Sequence, residues 1–276
     1  MSQPGDGRSN AGGGAPNTPA PAGDPRVRVY DDAAALARGA ARLFVATAQA
    51  AIAAHGRFSV ALSGGSTPRA LFQLLAAPPY RDQVNWSRMW VFWGDERCVP
   101  PTDAESNYRM AREALLFHVP VQANQVFRMH GEATDPSAEA ALYEMNLRRA
   151  FALAPGEWPR FDLVLLGLGP DGHTASLFPH TSALHAAGRL VVANRVDKLN
   201  TTRLTFTAPV INHAALIVFL VAGQDKVVPL AGVLEGSRQP DELPAQLIAP
   251  ANGQVLWLVD RVAAAGLTTT STIPGT

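Results

Sequence analysis

A strand that ends in a glycine-rich turn is the feature that most constrains how this chain folds. Residues 161–166 form a largely apolar run between turn residues, which is typical of a strand buried on both faces. Three glycines follow between residues 167 and 172, and glycine permits close approach of a ligand and positive φ angles. His173 comes next, and a helix is predicted over residues 174–178. An imidazole there lies at the carboxyl end of a strand, where open α/β sheets bind their ligands.

Strands and helices alternate over most of the 276 residues, which are enough to bury a large core. The predicted strands cover residues 26–30, 58–62, 89–93, 161–166, 190–196, 204–207, 215–221 and 255–259, and the predicted helices residues 33–54, 69–75, 105–116, 135–153 and 227–234. Strands alternating with helices of about 10–20 residues indicate a mostly parallel sheet with helices on both faces. No linker interrupts residues 26–265, so we predict a single α/β domain.

Composition excludes several classes of protein. The chain has 23 Lys plus Arg and 23 Asp plus Glu, so bulk charge does not favour nucleic acid or a membrane surface as a partner. The single cysteine, Cys98, excludes an internal disulfide and a metal site built on several cysteines, and it fits a reducing, cytoplasmic location. No apolar run reaches the roughly 18 residues of a membrane span.

Both ends of the chain are predicted to lie outside the folded domain. Residues 1–25 are rich in Gly, Pro, Ala and Asn, lack the apolar stretch of a secretory signal, and are expected to be disordered. Residues 266–276 are rich in Thr and are expected to form a loose tail. The predicted domain therefore spans residues 26–265.

Four predicted strand ends carry polar or glycine-rich turns, at residues 63–67, 94–97, 167–173 and 223–226. In a doubly wound sheet such carboxyl ends converge on one crevice. For His173 alone, an ordinary tight turn with a solvated imidazole is the alternative with greater weight. The second glycine-rich strand end moves that balance towards a functional site.

The turn over residues 63–68 offers backbone N–H groups, two hydroxyls and a helix N-terminus, which together make an anion site. Gly65, Ser66 and Thr67 are its candidate ligands, and an ordinary strand–helix turn is an equal alternative. It is no nucleotide P-loop, because no Gly-Lys-Ser/Thr follows. The Gly-x-Gly-x-x-Gly pattern at residues 167–172 lacks an acid about 20 residues on, so we reject a dinucleotide site.

Three cations are candidate anion ligands. Arg97 follows a predicted strand, with a surface ion pair as an equal alternative. Lys226 lies in the first turn of a predicted helix, where the dipole disfavours a cation unless an anion is bound. Arg203 is either a phosphate ligand or a charge at a strand edge, with the second slightly favoured. The six other histidines are expected to be structural or solvated, no spacing suggests a metal, and no Gly-x-Ser-x-Gly nucleophile elbow is present.

These segments together resemble the 6-phosphogluconolactonases, a subfamily of the glucosamine/galactosamine-6-phosphate isomerase superfamily. The matching motifs are Leu62-Ser-Gly-Gly-Ser-Thr-Pro68, Trp93-Gly-Asp-Glu-Arg97, Ser106-Asn-Tyr-Arg-Met110, Gly167-Leu-Gly-Pro-Asp-Gly-His-Thr-Ala-Ser-Leu-Phe-Pro179, Arg203-Leu-Thr and Gly223-x-x-Lys226. The resemblance runs in order from about residue 27 to 264. It implies a Rossmann-like three-layer α/β/α fold and hydrolysis of 6-phospho-D-glucono-1,5-lactone to 6-phosphogluconate, a step of the pentose phosphate pathway.

A lactone of this kind requires a base for the attacking water, a donor for the oxyanion and an anchor for the phosphate. His173 is assigned as the base and then the acid, because its ordinary pKa lies near neutrality. Asp171 or Asp95 orients the imidazole, and the sequence does not choose between them. Arg97 and Lys226 are assigned as cations for the phosphate or the oxyanion.

The remaining expectations complete this hypothesis. The amides and hydroxyls of Gly65, Ser66 and Thr67 assist in binding the phosphate, with Asp95 at the site and Arg203 as a weaker ligand. No cofactor or metal is expected, the only partner is the small-molecule substrate, and the chain is a monomer or a weak homo-oligomer.

Two other functions remain open on the same scaffold. A glucosamine-6-phosphate deaminase or isomerase usually continues Asp-Gly-His as Ile-Ala-Phe-Asn-Glu-Pro, whereas this chain reads Thr-Ala-Ser-Leu-Phe-Pro after His173. A non-catalytic sugar-phosphate sensor is the third possibility. The absence of a helix-turn-helix segment before residue 26 argues against a self-contained regulator.

Overall fold

The computed structural model describes Met1 and residues 27–268. The predicted disordered tail, apart from Met1, and residues 269–276 of the predicted loose tail lie outside the described residues. The domain boundaries at 26 and 265 therefore stay predictions. Gly266 closes a short 3-10 helix, Ala263–Gly266.

Six parallel strands form the central sheet, in the order β1-β9-β8-β5-β2-β3. These strands are β1 Val27–Tyr30, β2 Phe58–Leu62, β3 Met89–Trp93, β5 Leu163–Leu166, β8 Leu216–Val221 and β9 Gln254–Asp260. The strand order reverses beside β5, so its carboxyl end lies at the middle of the sheet, where such sheets form a crevice. The predicted α/β class with a mostly parallel sheet is confirmed.

Helices cover both faces of this sheet. They are α1 Ala33–His55, α2 Ser66–Leu75, α3 Asn107–Ala114, α4 Pro136–Phe151, α5 Ala208–Asn212 and α6 Val227–Leu234. Side chains of β5 alternate between the two faces, as a strand requires. Leu163 and Leu165 pack in the cluster with α1, α2 and α3, and Val164 and Leu166 in the cluster with α4, α5 and α6. The predicted three layers are confirmed.

Local sequence explains where the helices begin and end. The side chain of Asp32 accepts a hydrogen bond from the amide of Ala35 at 2.6 Å and caps α1, which ends at Gly56 with a φ of 81°. Asp135 caps α4 in the same way, before Pro136. Within residues 27–268 no helix has the length and apolar character needed to cross a membrane.

A second, antiparallel sheet was not predicted as such. It has the order β4-β7-β6, built from β4 Asp95–Arg97, β6 Val191–Val196 and β7 Thr201–Phe206. The sequence predicted residues 94–97 as a turn, whereas only Gly94 separates β3 from β4. The amide of Gly94 bonds Leu62 of the main sheet at 3.0 Å, and its carbonyl accepts from Phe206 of the second sheet at 2.8 Å.

The predicted helix over residues 174–178 is wrong. Ala175 has a φ of 47°, in the left-handed region, and a turn closes where Leu177 donates to Thr174 at 2.9 Å. The amide of Ser176 bonds the hydroxyl of Thr205 at 3.2 Å instead of a helical carbonyl. Pro179 follows directly, so the segment has no room to propagate a helix.

Candidate active site

The four predicted turns line one crevice at the carboxyl ends of β2, β3, β5 and β8. Its cavity is about 350 Å³ and its walls come from residues 63–68, 167–170, 173–175 and 222–226 with β4. A larger cavity of about 670 Å³ lies beside the amino end of β9 and includes none of the predicted site residues. The predicted site residues therefore line the smaller cavity, at the carboxyl ends of the strands, as the sequence predicted.

His173 is held by three contacts. Its Nδ1 lies 2.5 Å from Oδ1 of Asp171, and the same carboxylate oxygen accepts from the His173 amide at 3.3 Å. The imidazole stacks on Phe178 with 4.1 Å between ring centroids. Among the described residues Nε2 has no hydrogen-bond partner, and the ring borders the crevice. Nδ1 is thus engaged with a carboxylate while Nε2 remains available to a ligand or a water.

The charge of His173 follows from its surroundings. Burial lowers its pKa to about 4, Lys226, Arg97 and Arg203 add to the lowering, and Asp95 opposes it. The imidazole is therefore neutral at neutral pH and able to accept a proton.

Glycine is required beside this ring. A Cβ at Gly169 would lie 2.0 Å from Nδ1 of His173, so any side chain there displaces the imidazole. Gly172 has a φ of 75°, which lets the turn close back on itself. The hydroxyl of Thr174 ties this turn to the carbonyl of Gly167 at 2.9 Å. The predicted glycine-rich turn is thus fitted to the histidine.

Asp95 is buried, and its carboxylate makes hydrogen bonds to residues other than His173. Its Oδ2 accepts from the hydroxyl of Ser176 at 2.7 Å, and its Oδ1 lies 3.3 Å from Nδ2 of Asn107. Of the two acids that the sequence left open, only Asp171 contacts the imidazole. Asp95 borders the crevice, where it contributes negative charge.

Glu96 joins the second sheet to α3, a role that sequence reasoning missed. Its buried carboxylate accepts from the amides of Arg97 at 2.7 Å and of Asn107 and Tyr108 at 2.8 Å each. The hydroxyl of Ser106 adds a fourth hydrogen bond at 3.1 Å. A carboxylate at the N-terminus of a helix is stabilised by free N–H groups and the dipole. It fixes Asn107, whose side chain packs against Gly64 and bonds the carbonyl of Asp95 at 3.0 Å.

We predict that Glu96→Gln lowers the free energy of unfolding by about 2–4 kcal/mol, because the amide keeps one acceptor and turns an NH₂ towards backbone donors. Urea unfolding measures the change. Glu113→Gln on the exposed side of α3 is the matched control and changes stability by less than about 0.5 kcal/mol. Equal stability of the two variants would show that the Glu96 contacts are not structural.

Three predicted cations surround the crevice. Arg97 borders it and donates from Nη1 to the carbonyl of Glu105. Arg203 lies opposite Arg97 in the β4–β7 register, and burial, with repulsion from Arg97, lowers its pKa. Lys226 caps α6 and pairs with Asp225 at 2.6 Å. Like charges gathered in one half-buried place are favourable when an anion binds among them.

The first glycine turn supplies backbone donors. Gly65 has a φ of 105° and precedes α2, whose first residues are Ser66 and Thr67. No side chain caps this ten-residue helix, so its first amides are free for a ligand. Ser63 lies just before them, and its buried hydroxyl has no partner among the described residues.

The structure brings most of the predicted site residues to the crevice wall: Gly65, Ser66, Thr67, Asp95, Arg97, His173 and Lys226. Asp171 lies behind His173, and Arg203 stands one strand from Arg97. Sequence reasoning missed Asn107 and Ser63, which also line the crevice. Asn107 was within a matched motif but was interpreted as a helix start. Among residues 27–268 no cluster of three metal-ligating side chains is found.

This sheet, with a crevice at the carboxyl ends of its strands, defines a Rossmann-like α/β domain. The sequence model for "Glucosamine-6-phosphate isomerases/6-phosphogluconolactonase" matches residues 31–257. The chain therefore belongs to the glucosamine-6-phosphate isomerase/6-phosphogluconolactonase family, which confirms the resemblance found in its motifs.

Individual relatives agree with the lactonase branch of this family. A 6-phosphogluconolactonase of Nostoc sp. is 42% identical over 241 residues, which cover 87% of this chain and 98% of that protein. The structure of a 6-phosphogluconolactonase from Trypanosoma cruzi has a TM-score of 0.77 at 30% identity and covers 90% of this chain and 98% of that one. A monomeric glucosamine-6-phosphate deaminase has a TM-score of 0.73 at 21% identity over 88% of this chain and 100% of that one, which shows the fold alone.

Proposed function

We propose that this protein hydrolyses 6-phospho-D-glucono-1,5-lactone to 6-phosphogluconate. The names of its relatives support this substrate. The observation that carries the chemistry is the His173–Asp171 contact: Nδ1 is engaged at 2.5 Å, and Nε2 has no partner among the described residues. A neutral imidazole in that state is suited to general base catalysis at neutral pH.

The reaction needs only one proton carrier. Nε2 of His173 removes a proton from water as the water oxygen bonds to the lactone carbonyl carbon. The carbonyl then carries a negative charge, which Arg97 and the other cations stabilise. When the ring C–O bond breaks, His173 returns its proton to the leaving oxygen, which becomes a hydroxyl of the product. The new carboxylic acid ionises in water.

Phosphate binding uses groups that do not take part in the proton transfer. The free amides at the start of α2, with the hydroxyls of Ser66 and Thr67, form one donor set. Lys226 and Arg203 add positive charge from α6 and β7. The phosphate anchors the sugar so that its carbonyl faces His173, which turns the reaction into one between groups already positioned.

The test is pH-stat hydrolysis of freshly prepared lactone, corrected for its spontaneous opening. We expect acid release that scales with the protein concentration and no ammonia from glucosamine 6-phosphate. Ammonia release without lactone hydrolysis would contradict the proposal and assign the deaminase branch. Binding of both sugar phosphates without turnover would instead indicate a sensor.

A further inference from the structure

Lys198 lies outside every motif that points to the function, yet it contacts the histidine's partner. Its ammonium pairs with Oδ2 of Asp171, whose Oδ1 holds Nδ1 of His173. It also lies 4.9 Å from the centre of the Phe178 ring, on which His173 stacks. One carboxylate and one aromatic ring therefore join Lys198 to the imidazole.

Hydrogen bonds within a short turn between β6 and β7 fix the backbone that carries Lys198. Residues Asp197–Leu199 form a 3-10 turn between β6 and β7, closed by Asn200 with a φ of 47°. Arg195 braces this turn from β6, through Asp197 at 3.1 Å and Asn200 at 2.5 Å. The side chain of Lys198 is about half exposed, so its placement depends on this turn and on Asp171.

The composition of the chain sets this residue apart. Lys198 and Lys226 are the only lysines in the sequence, and every other basic side chain apart from histidine is arginine. Lys226 borders the crevice, and Lys198 reaches it through Asp171.

We propose that Lys198 is a positioning residue that acts through Asp171 to orient His173 and to set its charge state. The inference rests on the proposed function of His173 as the base. Asp171 would otherwise direct its full negative charge at the imidazole and favour the protonated form. Lys198 shares that charge, so the carboxylate fixes the ring without holding it as a cation.

Several charged groups act on His173 in addition to this pair. They are Asp95 and Arg97 on β4, Arg203 on β7 and Lys226 at the start of α6. The contacts of Lys198 are with Asp171 and Phe178 and involve none of these four groups, so a substitution at 198 is expected to isolate one contribution. Removal of this cation should raise the pKa of His173, because the imidazolium loses a neighbouring positive charge.

The experiment follows the titration of the His173 ring by NMR in the free protein, in wild type and in Lys198→Gln. We expect the midpoint to rise by about half a pH unit to one unit in the variant. Lys198→Arg keeps the charge and should restore the wild-type midpoint. Arg81→Gln is the control. It removes a cation that precedes β3, at the end of the sheet away from the crevice, and should leave the His173 midpoint unchanged.

Activity supplies the second readout. The acid limb of the kcat/KM profile for the lactone should move up by the same amount in Lys198→Gln and not in Lys198→Arg. An unchanged His173 midpoint in folded Lys198→Gln overturns the inference, and so does an equal shift in Arg81→Gln. A shifted midpoint in a protein with no lactonase activity keeps the Lys198 inference and rejects the proposed substrate, so the two failures are distinguishable.

Discussion

We expect His173→Ala to keep the fold and to lower kcat by roughly 10²–10⁴, the usual contribution of general acid–base catalysis. The imidazole borders the crevice, and its pKa, lowered to about 4, leaves it neutral and able to accept a proton at neutral pH. Initial rates of lactone hydrolysis at saturating substrate measure the loss. Circular dichroism and the melting temperature confirm that the variant is folded.

The control for this substitution is His185→Ala, which removes an exposed histidine that pairs only with Asp241. It should retain wild-type kcat. For the wild type, kcat/KM should stay level as the pH falls from neutrality and decline only near pH 4, because protonation removes the base. Near-normal turnover of folded His173→Ala would remove this residue from the mechanism.

Arg97→Ala and Lys226→Ala should each weaken binding of 6-phosphogluconate by about 1.5–3 kcal/mol, which is roughly 10- to 150-fold in Kd. Both residues line the crevice, and each substitution would remove one proposed charge-assisted hydrogen bond to the anion. Calorimetric titration at one fixed ionic strength measures the affinity, because salt screens such contacts.

Arg160→Ala supplies the matched control, since this exposed arginine precedes β5 at the opposite edge of the sheet. We expect no change in its affinity for the product. If both crevice variants also bind normally, the phosphate is held elsewhere, and Arg203 on the neighbouring strand becomes the next residue to test.

The sequence predicted the main sheet well because its strands carry a local signal. The bounds predicted for two strands, residues 58–62 and 89–93, are those of the structure. The same holds for the helix over residues 227–234. Continuous apolar runs closed by glycine or proline suffice for such elements. The same pattern predicted that the site lies at the carboxyl ends of the strands, because polar turns follow the predicted strands in the sequence.

Elements that depend on distant partners could not be predicted in this way. β4 has the sequence Asp-Glu-Arg and is a strand only because it pairs with residues 203–205 of β7. The predicted helix after His173 fails because Ser176 is drawn to Thr205 and Asp95. Long-range pairing overrides local preference in both cases.

The same limit applies within the site. The sequence could not show which acid contacts His173, because the carboxylate of Asp95 is hydrogen-bonded to Ser176 and Asn107, which are distant from it in the chain. Glu96 appears in the sequence as one acid of a charged triplet, and nothing local shows that it accepts four hydrogen bonds. Lys198 is 27 residues from Asp171 and contacts it because the β6–β7 turn lies beside the turn that precedes His173.

The antiparallel sheet places two of the charged groups around His173 on a stretch of chain separate from the parallel sheet. Residues 191–206 hold Lys198 and Arg203, whereas His173 lies in the turn that follows β5 of the parallel sheet. One short hairpin thus carries both a candidate anion ligand and the cation that pairs with Asp171. Exchange of this hairpin between family members would therefore replace both groups in a single step, so that affinity for an anion and the protonation of His173 are expected to change together.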